Sequence, residues 1–452
     1  MGELVVGIDI GTTKICTIVG EVREDDTYIV GVGVEPAQGM KKGMVTDVNA
    51  LSQSISASVH KAERSGYRIG RAFVSVAASH VQSTNSTGMT GAPGNRPIDM
   101  GDLVQALEAA RAIPIPHGRE ILHIIPRRYN LDGQQGVRNP IGMHGYRLEL
   151  EAHIITAASA SLENLEKAIE RAGVFVDRFI LNPLASGDVV LTPTEREAGV
   201  MVVDIGGGTT DIAIFIEGTV WHTGVIGIGG HHVSNDIAHV LNLPYELAEA
   251  VKLEFGHADP RAVQPLEMFP VQPFGEEHIS QVKRSDLVDI INARVSEIFE
   301  LVQTEVKRSG YEGLLPAGVV LTGGASLLPG MKAVANRVLQ MPARVAQPEA
   351  ISGMAEPLRS PAYSTAVGLL RLGLIMDVED SRRANVRKGV VALRRRKPPA
   401  ASARRSAVFF GALSRPRMSD LAYFALSIRT EAPQARPATP GFAFVFLTSD
   451  IQ

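Results

Sequence analysis

The chain has 452 residues, of which 45% are hydrophobic and 21% charged, and its formal net charge is −3. This length predicts two or more domains, and the composition is that of a soluble globular protein. The single cysteine, Cys16, excludes a disulfide framework and fits a reducing cytoplasm. We find no secretory signal and no apolar run of about 18 residues, so neither secretion nor a membrane-spanning helix is expected.

Charge is unevenly distributed along the chain. Residues 382–452 contain 14 Lys and Arg against 3 Asp and Glu, whereas residues 1–381 contain 31 against 45. An acidic body with a basic tail suggests that the tail meets an anionic surface, either a membrane or a nucleic acid. The tail lacks aromatic residues interleaved with its basic ones, so we expect no nucleic-acid partner.

The first 79 residues alternate strand and helix patterns. Runs rich in β-branched residues predict strands, and apolar residues at i, i+4 and i+8 predict a helix. In chain order, the predicted elements are strands at 4–10, 14–20 and 28–34, a helix carrying Leu51, Ile55 and Val59, and a strand at 72–77. The pattern predicts an α/β unit that opens with a hairpin.

A different pattern fills residues 80–158. Turn-forming residues concentrate at 91–97, and a predicted helix with one apolar face extends from Leu103 to Ala110. Strand-like runs follow at 120–125 and 147–156. Because this stretch interrupts the alternation on either side of it, we interpret it as an inserted subdomain.

The rest of the patterned region returns to alternating strands and helices. A glycine ends two of the predicted helices, at Gly173 and Gly310. The predicted elements are helices at 161–172, 230–241, 245–255, 285–309, 331–339 and 364–375, and strands at 178–181, 200–205, 211–216, 219–224 and 319–322. Residues 256–280 are predicted to be turns, and periodicity fails after about residue 380.

Two similar motifs lie 195 residues apart, at the ends of two predicted strands. They are Asp9-Ile10-Gly11-Thr12-Thr13 and Asp204-Ile205-Gly206-Gly207-Gly208-Thr209-Thr210. Gly and Thr in a tight turn let backbone N–H groups and hydroxyls converge on phosphate, and the preceding Asp can take a hydrated divalent cation. With Gly323-Gly324 after a third strand, the motifs predict a clamp for one nucleotide.

These three elements, in this order, resemble those of the ATPase superfamily of actin, heat-shock chaperones and sugar kinases. Within it the sequence is most similar to the FtsA family of bacterial cell-division proteins, over about residues 3–376. The segments that carry this likeness are 39–43, 122–126, 139–142, 203–211, 321–326 and 363–370. The resemblance implies an α/β, actin-like two-lobed ATPase fold, with two ribonuclease H-like domains around an ATP cleft and an FtsA-type inserted subdomain.

The resemblance also implies a division of the chain into the family's subdomains. The expected segments are 1–79 as the first part of 1A, 80–158 as the inserted 1C, 159–198 as the return to 1A and connecting segment, 199–224 as 2A with the phosphate hairpin, 225–312 as 2B, 313–358 as 2A with the adenosine turn, 359–378 as the final 1A helix, and 379–452 as a basic, disordered tail with a candidate membrane-targeting segment.

ATP and Mg²⁺ are the cofactors that the resemblance implies. The expected ligands are Asp9 and Asp204 for magnesium through water, Gly11, Thr12, Thr13, Lys14, Gly206, Gly207, Gly208, Thr209 and Thr210 for the phosphates, Gly323, Gly324 and Ser326 for the nucleoside, and Glu249 and Lys252 for the ribose. A solvated i, i+3 ion pair explains Glu249 and Lys252 equally well. His231 and His232 have no partners at metal-ligand spacing and are expected to be surface or capping residues.

One position departs from the superfamily pattern. Heat-shock chaperones and the rod-shape protein MreB have a Glu directly before a Pro in the connecting segment, where it aligns the attacking water. Here Asn182 precedes Pro183, and an Asn cannot act as a base. We therefore expect at most slow hydrolysis, with ATP setting conformation and polymer state.

The likeness to FtsA implies several partners. They are the acidic and apolar C-terminal peptide of the tubulin-like FtsZ, further copies of the chain in a filament, later division proteins, and lipids of the cytoplasmic (inner) membrane at the septum. Arg294 lies where the family has a basic residue and could pair with a peptide carboxylate, although it is equally explained as a surface Arg. The alternatives are another actin-like adaptor such as the pilus-assembly protein PilM, or a chaperone- or kinase-type phosphotransferase.

The tail departs from the family's amphipathic membrane helix. Val386, Val390 and Leu393 fall at helical spacing beside eight basic residues in 382–397. Near an anionic leaflet such residues contribute about 1 kcal/mol each, but the thin apolar face disfavours insertion. Residues 398–452 fit either a disordered tail or a frame-shifted end that has replaced a membrane helix.

Overall fold

The computed structural model describes residues 4–376 except 24–25, 93, 95, 265, 276–277, 350 and 355. The predictions for the basic tail, 379–452, lie outside these residues. None of the helices in the described part of the chain combines the length and the hydrophobicity that a membrane span requires.

The first part of the chain forms lobe I and then the insert. Lobe I begins with β1 (Leu4–Ile10), β2 (Lys14–Arg23), β3 (Asp26–Pro36), β4 (Met40–Lys41), β5 (Met44–Val45), α1 (Val48–Glu63) and β6 (Arg71–Val76). The insert contains β7 (Gln82–Gly91), α2 (Met100–Arg111), β8 (Arg119–Leu131), β9 (Gln134–Val137) and β10 (Arg147–Ala158). The chain returns through α3 (Ser159–Arg171), β11 (Phe175–Leu181), α4 (Asn182–Val190) and α5 (Pro193–Ala198).

The second part forms lobe II. It contains β12 (Val200–Ile205), β13 (Thr210–Ile216), β14 (Thr219–Ile226), α6 (Gly230–Val240), α7 (Tyr245–Phe255), β15 (Met268–Val271), β16 (Ser280–Lys283), α8 (Arg284–Ser309), β17 (Val319–Thr322), α9 (Met331–Leu339) and β18 (Ala343–Val345). A last helix, α10, covers 364–376 and packs back on the lobe I sheet.

The two lobes repeat one sheet topology. The strand orders are β11-β6-β1-β2-β3 and β14-β13-β12-β17-β18. In each sheet the first three strands form an antiparallel meander, and two later strands are added parallel to the first. The two Asp-Ile-Gly motifs therefore occupy corresponding positions, at the turn of the first hairpin of each lobe, as predicted.

Several elements were not predicted, for physical reasons that differ. Strand β7 is mostly exposed and polar and is held by its pairing with β10, so it shows no apolar alternation. Helix α4 has all nine residues buried and thus no amphipathic period. Strand β15 lies within the stretch 256–280 that was predicted as turns, and β16, with which it pairs, begins at the last residue of that stretch.

The insert is a sheet of order β7-β10-β8-β9 with its own apolar core, and it also contacts lobe II. The guanidinium of Arg127 lies 4.2 Å from the ring centroid of Trp221 and donates to the Tyr311 hydroxyl at 3.1 Å. The imidazole of His153 lies 3.0 Å from the Thr223 hydroxyl. We call these contacts the insert–lobe II junction.

A second contact joins the insert to the end of β11. Nε2 of the buried His123 accepts a hydrogen bond from the backbone N–H of Leu181 at 3.0 Å, one residue before Asn182. Burial, aided by the charge of Arg178, lowers the pKa of His123 to about 3. The imidazole is therefore neutral when it accepts this bond.

This histidine predicts a pH-dependent loss of stability. The unfolded chain takes up a proton at His123 below its ordinary pKa of about 6.5, whereas the folded chain does not, so acid favours unfolding. We expect a loss of about 1 kcal/mol between pH 7 and 5.5 from this residue. In urea unfolding at both pH values, His123→Gln, which keeps an acceptor, should show a smaller pH-dependent loss than the parent. Equal losses would contradict the assignment.

Candidate nucleotide site

A cavity of about 460 Å³ opens between the lobes, where the first hairpin of each lobe and the turn after β17 meet. Its walls include 14 of the 16 residues predicted to bind nucleotide or metal, namely Asp9, Gly11, Thr12, Thr13, Lys14, Asp204, Gly206, Gly207, Gly208, Thr209, Glu249, Lys252, Gly323 and Gly324. The volume lies in the range of small-molecule and cofactor pockets.

Three other predicted site residues lie elsewhere. The buried Thr210 hydroxyl donates to the carbonyl of Ile228 at 2.8 Å, and the buried Ser326 hydroxyl donates to the carbonyl of Gly323 at 2.7 Å. Both hydroxyls hold the backbone of neighbouring turns, and neither residue lines the cavity, so their expected contact with ligand stays a prediction. Arg294, on α8, is also outside the cavity.

The turns of the two Asp-Ile-Gly hairpins, residues 11–13 and 206–209, lie against each other; we call them the phosphate turns after their predicted role. Each is closed by one backbone hydrogen bond, from Gly11 N to Lys14 O at 3.0 Å and from Gly206 N to Thr209 O at 2.9 Å. An ideal Cβ on Gly207 would lie 2.1 Å from Oγ1 of Thr13, well inside van der Waals contact. Glycine is therefore required there for the turns to approach.

Three buried carboxylates converge behind these turns. Oδ1 of Asp9 accepts from the Ser75 hydroxyl at 2.8 Å, and Oδ2 of Asp204 accepts from the Thr365 hydroxyl at 3.0 Å. Oδ1 of Asp211 is buried without a hydrogen-bond partner among the described residues. Acceptors crowd this end of the cavity, so it is suited to a cation.

The pKa values of the three carboxyl groups also favour a bound cation. Burial raises the pKa of Asp9 and, with the Asp9 charge adding to it, raises that of Asp204 to about 6. Burial and the neighbouring carboxylates raise the pKa of Asp211 well above its ordinary value. The Lys14 charge opposes these shifts at Asp9 and Asp204. Ionising all three carboxylates is costly without a further positive charge.

Carboxylate oxygens are the ligands that Mg²⁺ prefers, so this set of donors fits the predicted ion. Among the described residues, no group of three or more His, Cys, Asp or Glu side chains could hold a metal ion by itself. A magnesium ion held by these carboxylates would also need oxygen ligands from water or from a bound phosphate.

The opposite end of the cavity is built around a partly buried ion pair. Nζ of Lys252 lies 2.7 Å from Oε2 of Glu249 and donates to the Ser234 hydroxyl at 2.9 Å. Although burial opposes it, hydrogen bonds from Lys252 and Ser234 lower the pKa of Glu249. Ser234 and Lys252 are buried and Glu249 is half-buried, so the pair belongs to a partly buried network and not to a solvated surface. Apolar side chains complete this end, namely Val233, Leu253, Val295, Ile298, Leu327, Leu328 and Met331.

His231 was expected at the surface or in a cap, and the structure places it in the cavity wall. Its Nε2 lies 2.8 Å from the Thr13 hydroxyl of the other lobe. His232 does serve as a cap, because its Nδ1 accepts from the N–H of Gly229 at 3.1 Å. One feature of the sequence could have indicated a role for His231 in the cavity: it lies at the start of a predicted helix, directly after Gly229-Gly230.

Comparison with known proteins gives consistent matches. Residues 201–368 match the family described as cell division protein FtsA, and residues 78–156 match the SHS2 domain inserted in FtsA. The cell division protein FtsA of Pseudomonas aeruginosa is 43% identical over 375 residues, covering 82% of this chain and 90% of that protein. That of Escherichia coli is 36% identical over 380 residues, with 82% and 90% covered.

Among solved structures, the PilM–PilN type IV pilus biogenesis complex contains a similar chain. The TM-score is 0.60 at 18% sequence identity, and the likeness covers 82% of this chain and 98% of that one. At this identity the likeness concerns the fold.

Proposed function

The chain belongs to the FtsA family of actin-like cell division proteins, and we propose that it binds ATP, self-associates and links FtsZ filaments to the cytoplasmic membrane at the septum. In that position it would help to recruit later division proteins. The family assignment rests on identities of 36–43% over about four fifths of the chain. The observation that carries the nucleotide part is the meeting of two phosphate turns over three buried carboxylates.

Magnesium would supply the charge that this end of the cavity lacks. Asp9 and Asp204 would hold the ion through its water ligands, and the free Oδ1 of Asp211 would accept a hydrogen bond from one of those waters. The glycine turns would cradle phosphate oxygens with backbone N–H groups. The ion pair of Glu249 and Lys252 would face the ribose, and the apolar residues beside it would cover the base.

Bound ATP would set the conformation of the protein and would be hydrolysed slowly at most. Asn182 begins α4 in the cavity wall, and its Oδ1 has no hydrogen-bond partner within the part of the chain that the structure describes. An amide there can orient a water but cannot take its proton.

Asn182→Glu is expected to raise the rate of phosphate release from magnesium ATP by about tenfold or more, because a carboxylate at this position can act as a general base. Asn182→Gln, with the same length and no basic group, is the matched control and should stay at the parent rate. Steady-state phosphate release measures both. If the Glu variant still binds magnesium ATP but turns over no faster, the role given to Asn182 is wrong.

The FtsZ peptide would have to compete for Arg294. Nε and Nη2 of Arg294 contact the Asp236 carboxylate at 2.6 and 2.9 Å, and Nη1 contacts Glu297. A peptide carboxylate would therefore share or displace Asp236, with a charge-assisted bond to the same guanidinium.

Binding of an FtsZ C-terminal peptide, followed by fluorescence anisotropy, tests the partner and separates this function from a pilus-type adaptor. We expect saturable binding that weakens in Arg294→Gln. Co-sedimentation of FtsZ with anionic vesicles should then require the full chain and should be lost in a chain that ends at Val378. Absence of peptide binding, or turnover stimulated by a sugar or an unfolded peptide, would favour the alternatives.

A further inference from the structure

The imidazole of His231 joins the two phosphate turns directly. Its Nε2 lies 2.8 Å from Oγ1 of Thr13, a residue 218 positions away on the first hairpin. Its backbone N–H donates to the carbonyl of Gly207 at 2.8 Å, which holds the residue on the second turn. A single residue of lobe II thus contacts the first hairpin turn of lobe I.

The ring is held in this position by its surroundings. The Tyr245 ring packs edge-on against it, with centroids 5.9 Å apart. Burial, with the charge of Lys252 acting in the same direction and that of Glu249 against it, lowers the pKa of His231. A neutral imidazole has one donor and one acceptor nitrogen, and a Thr hydroxyl can pair with either.

Close packing makes this contact specific. An ideal Cβ on Gly207 would lie 2.9 Å from Nε2 of His231 as well as 2.1 Å from the Thr13 hydroxyl. Gly207, His231 and Thr13 are therefore closely packed at the phosphate end of the cavity, where the two turns are in contact. To separate the turns, the hydrogen bond between His231 and Thr13 must break.

We propose that His231 is a positioning residue of the nucleotide site, which latches the two phosphate turns together through Thr13 and so slows the release of bound nucleotide. The inference rests on the proposed ATP binding. A ligand enclosed by both turns leaves only after they part, so the latch adds to the barrier for dissociation.

The test is a double-mutant cycle on the full chain, with a fluorescent ATP analogue and magnesium. His231→Ala and Thr13→Val should each raise the dissociation rate about threefold to tenfold, the range of one hydrogen bond. The double variant should dissociate no faster than the faster single variant, because both changes remove the same contact. His231→Gln, which keeps an N–H donor on a side chain of similar reach, should restore part of the loss. His239→Ala, on the exposed end of α6, is the matched control.

A second measurement needs no ligand. Amide hydrogen exchange of residues 11–14 and 206–209 should rise in His231→Ala and in Thr13→Val, because the closed turns protect these amides. Parent-like exchange in both, a parent-like dissociation rate in His231→Ala, or additive effects in the cycle would each overturn the latch. If the parent itself binds no analogue, the proposed function fails, and the exchange data still decide on the latch.

Discussion

Asp204→Asn is expected to stabilise the nucleotide-free protein while weakening its magnesium-dependent ATP binding by about tenfold or more. The buried Asp204 has its pKa raised to about 6, so at pH 7 it is ionised beside Asp9 at a cost in folding free energy. A neutral amide removes that cost, and we expect a gain of about 1–3 kcal/mol at pH 7. The same change removes a negative charge that would hold the proposed magnesium ion through its water ligands.

The pH dependence fixes the sign of this prediction. Because the folded pKa of Asp204 is raised, the parent is relatively most stable below the unfolded pKa of about 3.8 and loses stability as the pH rises through about 6. The advantage of Asp204→Asn in urea unfolding should therefore be largest at pH 7 and shrink toward pH 4. Asp259→Asn is an opposite control, since the Arg261 guanidinium lowers the pKa of Asp259 to about 2 and its loss should destabilise. A less stable Asp204→Asn protein, or one with parent-like magnesium ATP binding, would refute the assignment.

Gly323→Ala is expected to cost about 3 kcal/mol or more of folding free energy and to abolish measurable nucleotide binding. Gly323 has φ = 82°, where a side chain is strained, and an ideal Cβ would lie 2.4 Å from Oδ1 of Asp204 and 2.5 Å from the Ile205 carbonyl oxygen. Any relief of this overlap would move the Asp204 carboxylate or the end of β12.

The next residue supplies the control for stability. Gly324 has no positive φ, and the nearest atom to its ideal Cβ is 3.7 Å away, on Ala362. Gly324→Ala should therefore unfold within about 0.5 kcal/mol of the parent in urea. Equal stability of the Gly323 and Gly324 variants would show that the turn after β17 tolerates a side chain, contrary to its geometry.

The sequence predicted those parts of the fold and site whose signal is local. β17 and α7 have the predicted bounds because an apolar run or a helical period is complete within each. Asp9 and Asp204 were identified because each lies near the end of a predicted strand, just before a turn rich in Gly and Thr. The polar strand β7, by contrast, depends on β10, about 65 residues later, for its pairing.

The sequence also could not predict which side chains of a turn point into the cavity. Thr210 follows Thr209 in one motif, yet only Thr209 lines the cavity, because adjacent side chains point to opposite sides where β13 begins. The role of His231 could not be predicted without knowing which residue of the other lobe faces it, and that residue, Thr13, is 218 positions away. Such contacts are set by the packing of the lobes.

The insert–lobe II junction means that lobe I, lobe II and the insert are each joined to the other two. The chain ties the insert to lobe I at both of its ends, the connecting segments tie lobe I to lobe II, and Arg127 with Trp221 closes the third side. Because each of the three parts is joined to the other two, the cleft between the lobes cannot widen while the contacts of the insert with both lobes stay unchanged. A rotation that widens the cleft must therefore shear the stack of Arg127 on Trp221 or carry the insert with it.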